Sequence, residues 1–226
     1  MPKSAQQPFQ RWDVTPAEAR QIQDEVRSHV SQKNGRELRN VRHVAGVDCS
    51  LRDGMATAAV VILAFDSLQV VETVVVQKPL VFPYVPGLLS FRECPAILAA
   101  FKQIKLQPEL VMVDGQGIAH PRRIGIAAHL GVLLDKPAIG CAKSRLIGTH
   151  DEPYHVAGYY TDLWDRRELI GAVLRTRERC NPLFISIGHK IDLPTALDLV
   201  LHCCRGYRLP EPTRMAHQAA GKPSHP

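Results

Sequence analysis

Three apolar, β-branched stretches at residues 41–48, 55–65 and 69–76 follow one another with only a few residues between them. Gaps this short, one of them built on Arg52-Asp53-Gly54, leave no room for the crossover that parallel strands require. The three stretches must therefore pair antiparallel, as a meander. The second is apolar almost throughout, so both of its faces need cover.

The rest of the chain supplies that cover. Thr15-Pro16-Ala17-Glu18 is a capping box with proline at the first helical position, and it predicts a helix running to about residue 31, before Asn34-Gly35. Residues 92–105 read as a helix with Pro95 in its first turn, and 110–113 as a short strand buried on both faces. A helix at 124–134, a strand at 138–142, a strand pair within 155–175 and a strand at 183–187 follow. A last helix spans 194–205, stopped by Gly206. The order βββ-α-β-α-β with additions predicts an α/β chain whose mixed sheet is flanked by helices. A length of 226 residues fits one domain, with about 216–226 as a flexible tail.

Composition narrows the function classes. At 45% hydrophobic and 22% charged, the chain is neither disordered nor collagen-like. Its net charge of +6 leans towards a polyanionic partner. The longest apolar stretch, residues 55–65, is about half of the roughly 20 residues a bilayer span needs, and residues 1–13 carry no secretory apolar region. No membrane association is expected. Six cysteines (49, 94, 141, 180, 203 and 204) contain no CxxC pair, which argues against a zinc site and for reduced thiols. The cytoplasm is the expected compartment.

Three acids stand out. Asp48 follows Val44-Ala45-Gly46-Val47, Asp114 follows Leu110-Val111-Met112-Val113, and Glu93 lies near the start of the first core helix. An aspartate after a strand is often only a turn former or cap. Two at the C-terminal ends of neighbouring strands point into one crevice, where they repel unless a cation lies between them. A hard ion such as Mg²⁺, which takes carboxylate, water and phosphate oxygens, suits that crevice. Lys143, just past a strand, is placed to reach the same crevice and hold a phosphate or the attacking water; the alternative is a solvated surface lysine. Gly115-Gln116-Gly117 after a strand raises dinucleotide binding as a rival. That rival fails, because His120 occupies the third glycine position and Asp114 would face the pyrophosphate.

Two loops remain. Residues 114–125 pack Gly115, Gly117 and Gly125 around a carboxylate, as a backbone that approaches a flat group closely would require. Phe82-Pro83-Tyr84-Val85-Pro86-Gly87 brackets an aromatic between prolines, which suits a rigid wedge for an unstacked duplex or, equally, a buried loop anchor.

Taken together, six blocks resemble the endonuclease V family: Val47-Asp48; Pro83-Tyr84-Val85-Pro86-Gly87 through Phe91-Arg92-Glu93; Asp114-Gly115-Gln116-Gly117-Ile118-Ala119-His120-Pro121-Arg122-Arg123; Ala142-Lys143-Ser144; Arg179-Cys180-Asn181-Pro182-Leu183-Phe184; and Gly206-Tyr207-Arg208-Leu209-Pro210-Glu211-Pro212-Thr213-Arg214. The likeness runs from about residue 41 to 219 in the same order. It implies an RNase H-like fold and a deoxyinosine 3′ endonuclease of base-deamination repair. Asp48, Glu93 and Asp114 would bind Mg²⁺, with Mn²⁺ a plausible substitute, and activate water on a phosphodiester. Lys143 would sit near the scissile phosphate, and Tyr84 with Pro83, Val85 and Pro86 would wedge into the duplex. Gly87, Leu89, Gly115, Gly117, His120, Gly125, Ile126 and Leu146 would line the pocket for the flipped hypoxanthine. His217 is expected beside the acids, touching a ligand rather than serving as one. The implied cut is at the second phosphodiester 3′ to the lesion, by a monomer acting on DNA that contains deoxyinosine. Inosine-containing RNA and single-stranded DNA stay open as substrates. A non-cleaving RNase H-like nucleic-acid-binding module is the alternative from a different class.

Overall fold

The computed structural model describes residues 9–221. β1 (His43–Arg52) turns into β2 (Met55–Ala64) through Asp53 and Gly54, at φ 51° and 72°. Two left-handed central residues make the tight turn whose twist matches that of the strands it joins. β2 pairs antiparallel with β3 (Val70–Pro79), completing the meander. β1 is longer than expected, so Asp48 lies six residues in, opposite Ala59, and not at the strand's end. What stops beside Asp48 is the other ladder of β1, the parallel one with β4 (Leu110–Val113), whose last pair is Val47 with Val113.

β5 (Ala138–Ala142) continues parallel to β4. β6 (Tyr160–Asp165), β7 (Glu168–Leu174) and β8 (Leu183–His189) add antiparallel strands, giving one sheet in the order β3-β2-β1-β4-β5-β8-β7-β6. The period of two along each strand divides the core between the sheet's faces. Val44, Leu110, Met112, Ile139 and Cys141 pack with residues of α4 (Leu193–His202) and α5 (Glu211–Gly221). Ala45, Val47, Val111 and Val113 pack on the opposite side with α2 (Leu89–Phe101) and α3 (Ile126–Leu134). α1 (Pro16–Arg27) lies on that second side and contacts α3. The mixed, helix-flanked sheet expected from the sequence is present. None of the helices among the described residues is long and apolar enough to cross a membrane. All six cysteines are free thiols, with Cys94, Cys141 and Cys203 buried.

Several boundaries differ from the sequence reading. The capping box forms as expected, but α1 ends at Arg27, where the Ser28 hydroxyl bonds back to the Glu25 carbonyl at 2.7 Å. α2 starts at Leu89, three residues early, which moves Pro95 from the first turn to mid-helix and leaves the Phe91 carbonyl without its i+4 donor. α4 stops at His202, before Gly206. Residues 216–221, expected to fray as a tail, form the second half of α5; residues 222–226 lie outside the described residues. The reason is packing, since Ala216 and Ala220, one turn apart, are buried.

α5 approaches the sheet more closely than a side chain would permit. A Cβ on Gly46 would lie 1.8 Å from the Pro212 carbonyl oxygen, so only glycine lets the start of α5 rest on β1. From there, five residues of helix advance about 7.5 Å and two residues of strand about 6.6 Å, which brings His217 level with Asp48. Gly46→Ala is therefore expected to destabilise the protein by about 3 kcal/mol or prevent folding. Gly221→Ala, with open space around the added methyl, should be near neutral. Urea unfolding of both variants checks this, and equal midpoints would mean that the α5 contact has no such importance.

Candidate active site

Asp48 and Asp114 are the next residues in register beyond Val47 and Val113, and the Asp114 N–H donates to the Val47 carbonyl at 3.0 Å. Both follow the even positions 44, 46, 110 and 112, so both side chains emerge on the α5 face of the sheet. There they meet His217 from α5. One ligand atom from each of Asp48, Asp114 and His217 lies within 4.8 Å of the other two. His217 Nδ1 is 2.7 Å from Asp48 Oδ2, and because a carboxylate only accepts, Nδ1 carries the proton. The Cys49 N–H donates to the other Asp48 oxygen at 2.8 Å. Lys143, one residue past β5, places Nζ 2.5 Å from Asp114 Oδ2. That ion pair is the partner of Asp114 Oδ2, an oxygen otherwise buried. These groups surround a hollow of about 360 Å³.

The electrostatics follow from crowding acids together. Burial first, and then the neighbouring Asp114 carboxylate, push Asp48 above the ordinary carboxylate range, although His217 and the Cys49 N–H pull the other way. Glu93 reaches the site from α2, on the opposite face. It does not join the three-residue cluster, but it is close enough to feel both aspartates. Burial, then Asp48 and Asp114, push it up to about 8.

A second hollow, of about 230 Å³, opens on the other side of the loop that begins at Asp114. Six residues of the expected base pocket line it: Gly87, Leu89, His120, Gly125, Ile126 and Leu146. Gly115 and Gly117 do not. A Cβ on Gly117 would strike the Ile187 carbonyl at 2.1 Å, and one on Gly115 would strike Ile126 at 2.5 Å, so these two glycines serve close packing behind the wall. Gln23, Ser90, Gln116 and Ile124 also line it and were missed. Only Gln23 left a sequence signal: it interrupts the buried stripe Ala19, Ile22, Val26 with a polar side chain.

At the rim, Tyr84 is 74% exposed at the tip of its loop, with Pro83 and Pro86 exposed and Val85 half-buried beside it. The Arg92 guanidinium lies 5.8 Å from the centre of its ring. It is a projecting tip and not a buried anchor. Behind the pocket, His120 Nδ1 accepts from the Arg122 N–H at 3.2 Å, leaving Nε2–H to donate to the Gly87 carbonyl at 3.1 Å. Burial and the Arg122 charge push His120 down to about 4, so the ring is neutral. His129, wholly buried against Ser90 at 2.9 Å, is also pushed down to about 4 by burial.

The sequence profile of the Endonuclease V family matches residues 24–218. The endonuclease V of Dehalococcoides mccartyi is 51% identical over 213 residues, covering 93% of this chain and 95% of the relative. The crystal structure of the endonuclease V of Streptomyces avermitilis superposes with a TM-score of 0.87 at 39% identity, covering 92% of each chain. The Ciona intestinalis endonuclease V, crystallised with a 24mer DNA containing an inosine followed by a ribo-adenosine, gives a TM-score of 0.78 at 29% identity, covering 89% of this chain and 94% of that one. The shared fold is RNase H-like.

The two buried histidines set a pH dependence. Their folded-state values lie below the ordinary 6.5, so between about 6.5 and 4 the unfolded chain binds more protons and stability falls as pH falls. Each ring contributes a slope of about 1 kcal/mol per pH unit in that window. His129→Gln is expected to remove one such slope from urea-unfolding free energies measured between pH 7 and pH 4. An unchanged slope would show that His129 is not held neutral.

Proposed function

The chain belongs to the endonuclease V family, and from that premise we propose that it is a Mg²⁺-dependent endonuclease acting on deaminated purines in DNA, deoxyinosine first among them, and hydrolysing the second phosphodiester bond 3′ to the lesion. The observation that carries this reading is the pair of hollows sharing one loop. Asp114 lines the acidic hollow, and Gln116, two residues on, lines the base-sized one. A nucleotide whose base enters the second brings its backbone towards the first. The inosine-containing DNA bound by the Ciona relative supports the same substrate class here.

The donor set fits a hard divalent cation: two carboxylates held together against their repulsion, with an imidazole alongside and all three ligand atoms within 4.8 Å of one another. Asp48 and Asp114 would hold the ion, with Glu93 and His217 beside them. When bound, magnesium supplies neutralisation of phosphoryl charge and a more acidic water, and manganese serves in its place.

The protein's own groups account for the rest. Lys143, its side chain 38% exposed and facing Asp114, offers a mobile point charge to a phosphate oxygen entering the hollow. The His217 N–H fixes the Asp48 carboxylate in one orientation. Leu88 caps α2 without a side-chain hydrogen bond, so the first N–H groups of α2, at Leu89 and Ser90 on the pocket wall, lie beyond reach of an intrahelical acceptor. Such donors suit the carbonyl of hypoxanthine and not the amino group adenine carries there; a mismatched buried polar group costs about 1–3 kcal/mol. Tyr84, stiffened by its prolines, fills the gap the flipped base leaves.

The test is a nicking assay on a labelled duplex with one deoxyinosine, against an undamaged duplex and an RNA strand with one inosine, with and without Mg²⁺. A single Mg²⁺-dependent cut one nucleotide beyond the lesion, in DNA, is expected. Cutting confined to RNA would move the substrate to transcripts, and binding without a cut would replace the enzyme with a binding module. Asp48→Asn and Asp114→Asn should each lower nicking by about 100-fold or more. Because the Asp48 charge is disfavoured in the metal-free fold, Asp48→Asn should also melt about 2 °C or more above wild type in EDTA. A lower melting point would contradict the repulsion inferred here. Tyr84→Ala should weaken binding to the deoxyinosine duplex about 10-fold with little change for undamaged DNA, as read by fluorescence anisotropy. Equal weakening on both would make Tyr84 a generic contact.

A further inference from the structure

Gln23 stands apart from the groups described so far. It lies on α1, one residue before the part of the chain that matches the family profile, yet it is buried and lines the base pocket. Its amide nitrogen donates to the Gly87 carbonyl at 3.0 Å and reaches the Ile124 carbonyl at 3.4 Å. Its amide oxygen accepts from Arg122 Nε at 2.6 Å. Gly87 belongs to the loop that carries Tyr84, and Ile124 to the loop that carries His120, so one side chain spans both walls of the pocket. The Gly87 carbonyl also receives Arg122 Nη2 at 2.7 Å and His120 Nε2 at 3.1 Å. Three donors on an oxygen with two lone pairs leave it nothing to offer a ligand.

We propose that Gln23 is a positioning residue for base discrimination: by tying Gly87, Ile124 and Arg122 together it sets the pocket width and holds the saturated Gly87 carbonyl in place against the bound base. This rests on the deaminated-purine reading above. An amino group, the feature that separates adenine from hypoxanthine, needs such acceptors when it is buried. With the walls held by Gln23 it meets a Gly87 oxygen already taken by three donors, whereas a purine carbonyl has no use for that acceptor. Removing the amide leaves the Gly87 oxygen to Arg122 and His120 alone and lets the two walls part, so that the oxygen no longer keeps a fixed place against the base.

The test compares Gln23→Ala, Gln23→Met and wild type in steady-state nicking of a deoxyinosine duplex and an undamaged duplex, with thermal melts of all three. Methionine fills nearly the same volume without either hydrogen bond, which separates packing from positioning. For both variants, KM for the deoxyinosine duplex is expected to rise more than kcat falls, and the preference for deoxyinosine over adenine to drop at least 10-fold. Gln23→Glu, which keeps the acceptor for Arg122 but loses the donor, should not restore it. A wild-type preference retained in Gln23→Met would overturn the proposal, because volume alone would then suffice. So would a lowered melting point with unchanged preference. If wild type itself does not prefer deoxyinosine, the substrate reading falls and this proposal falls with it. If wild type prefers deoxyinosine and both variants keep that preference, the proposal alone fails.

Discussion

The parallel ladder between β1 and β4 is the constraint on which the rest depends. It fixes a register in which Asp48 and Asp114 stand side by side, one step past the last paired residues. Two carboxylates cannot be held there, mostly out of water, without a response from the surroundings. The response comes from three directions. Lys143 arrives from the end of β5, His217 descends from α5, and Glu93 approaches from α2 with its carboxyl pushed up by burial and the two aspartates. The rest of the architecture can be read as the means of bringing those elements to one edge of one sheet. The same loop that bears Asp114 then turns back to wall the second hollow, so register in the sheet also fixes how far apart the two hollows lie.

Close contact without side chains is the second theme. α5 rests on β1 because position 46 has no Cβ, and the loop after β4 lies against β8 because position 117 has none. In both places glycine lets an element approach that carries chemistry on a neighbouring residue. The gain is precision of placement, since a helix held by its backbone has less freedom to slide than one held by long side chains.

Much of this was legible in the chain. The meander, the apolar strand ending in Asp114, the capping box at Thr15 and the proline-bracketed Tyr84 are local signals, and each rests on physics confined to a few residues. Asp48 was found for a reason that needed adjusting. The stretch before it reads as a strand that ends, whereas the strand continues and only its partner changes, and a partner is not written in local sequence. The small residues of α5 looked like a loose tail because their burial depends on Gly46, some 170 residues earlier. Of the eight residues expected around the base, Gly115 and Gly117 pack behind the hollow's wall and do not line it, and a glycine beside a ligand and a glycine beside another strand look alike in one dimension. Gln23 showed in the sequence only as a polar break in an apolar stripe, and its place at the pocket did not show, since its carbonyl partners lie 64 and 101 residues away.

The bond between His217 and Asp48 spans 169 residues, about three quarters of the 226-residue chain. A growing polypeptide therefore completes the sheet, helices α1 to α4 and the base-sized hollow before α5, the helix that finishes the acidic one, has been made. Until then Gly46 is uncovered and the two aspartates face solvent without their imidazole. The order of synthesis leaves the reactive end of the molecule for last, and a chain interrupted before α5 would carry most of a recognition surface with an unfinished centre beside it.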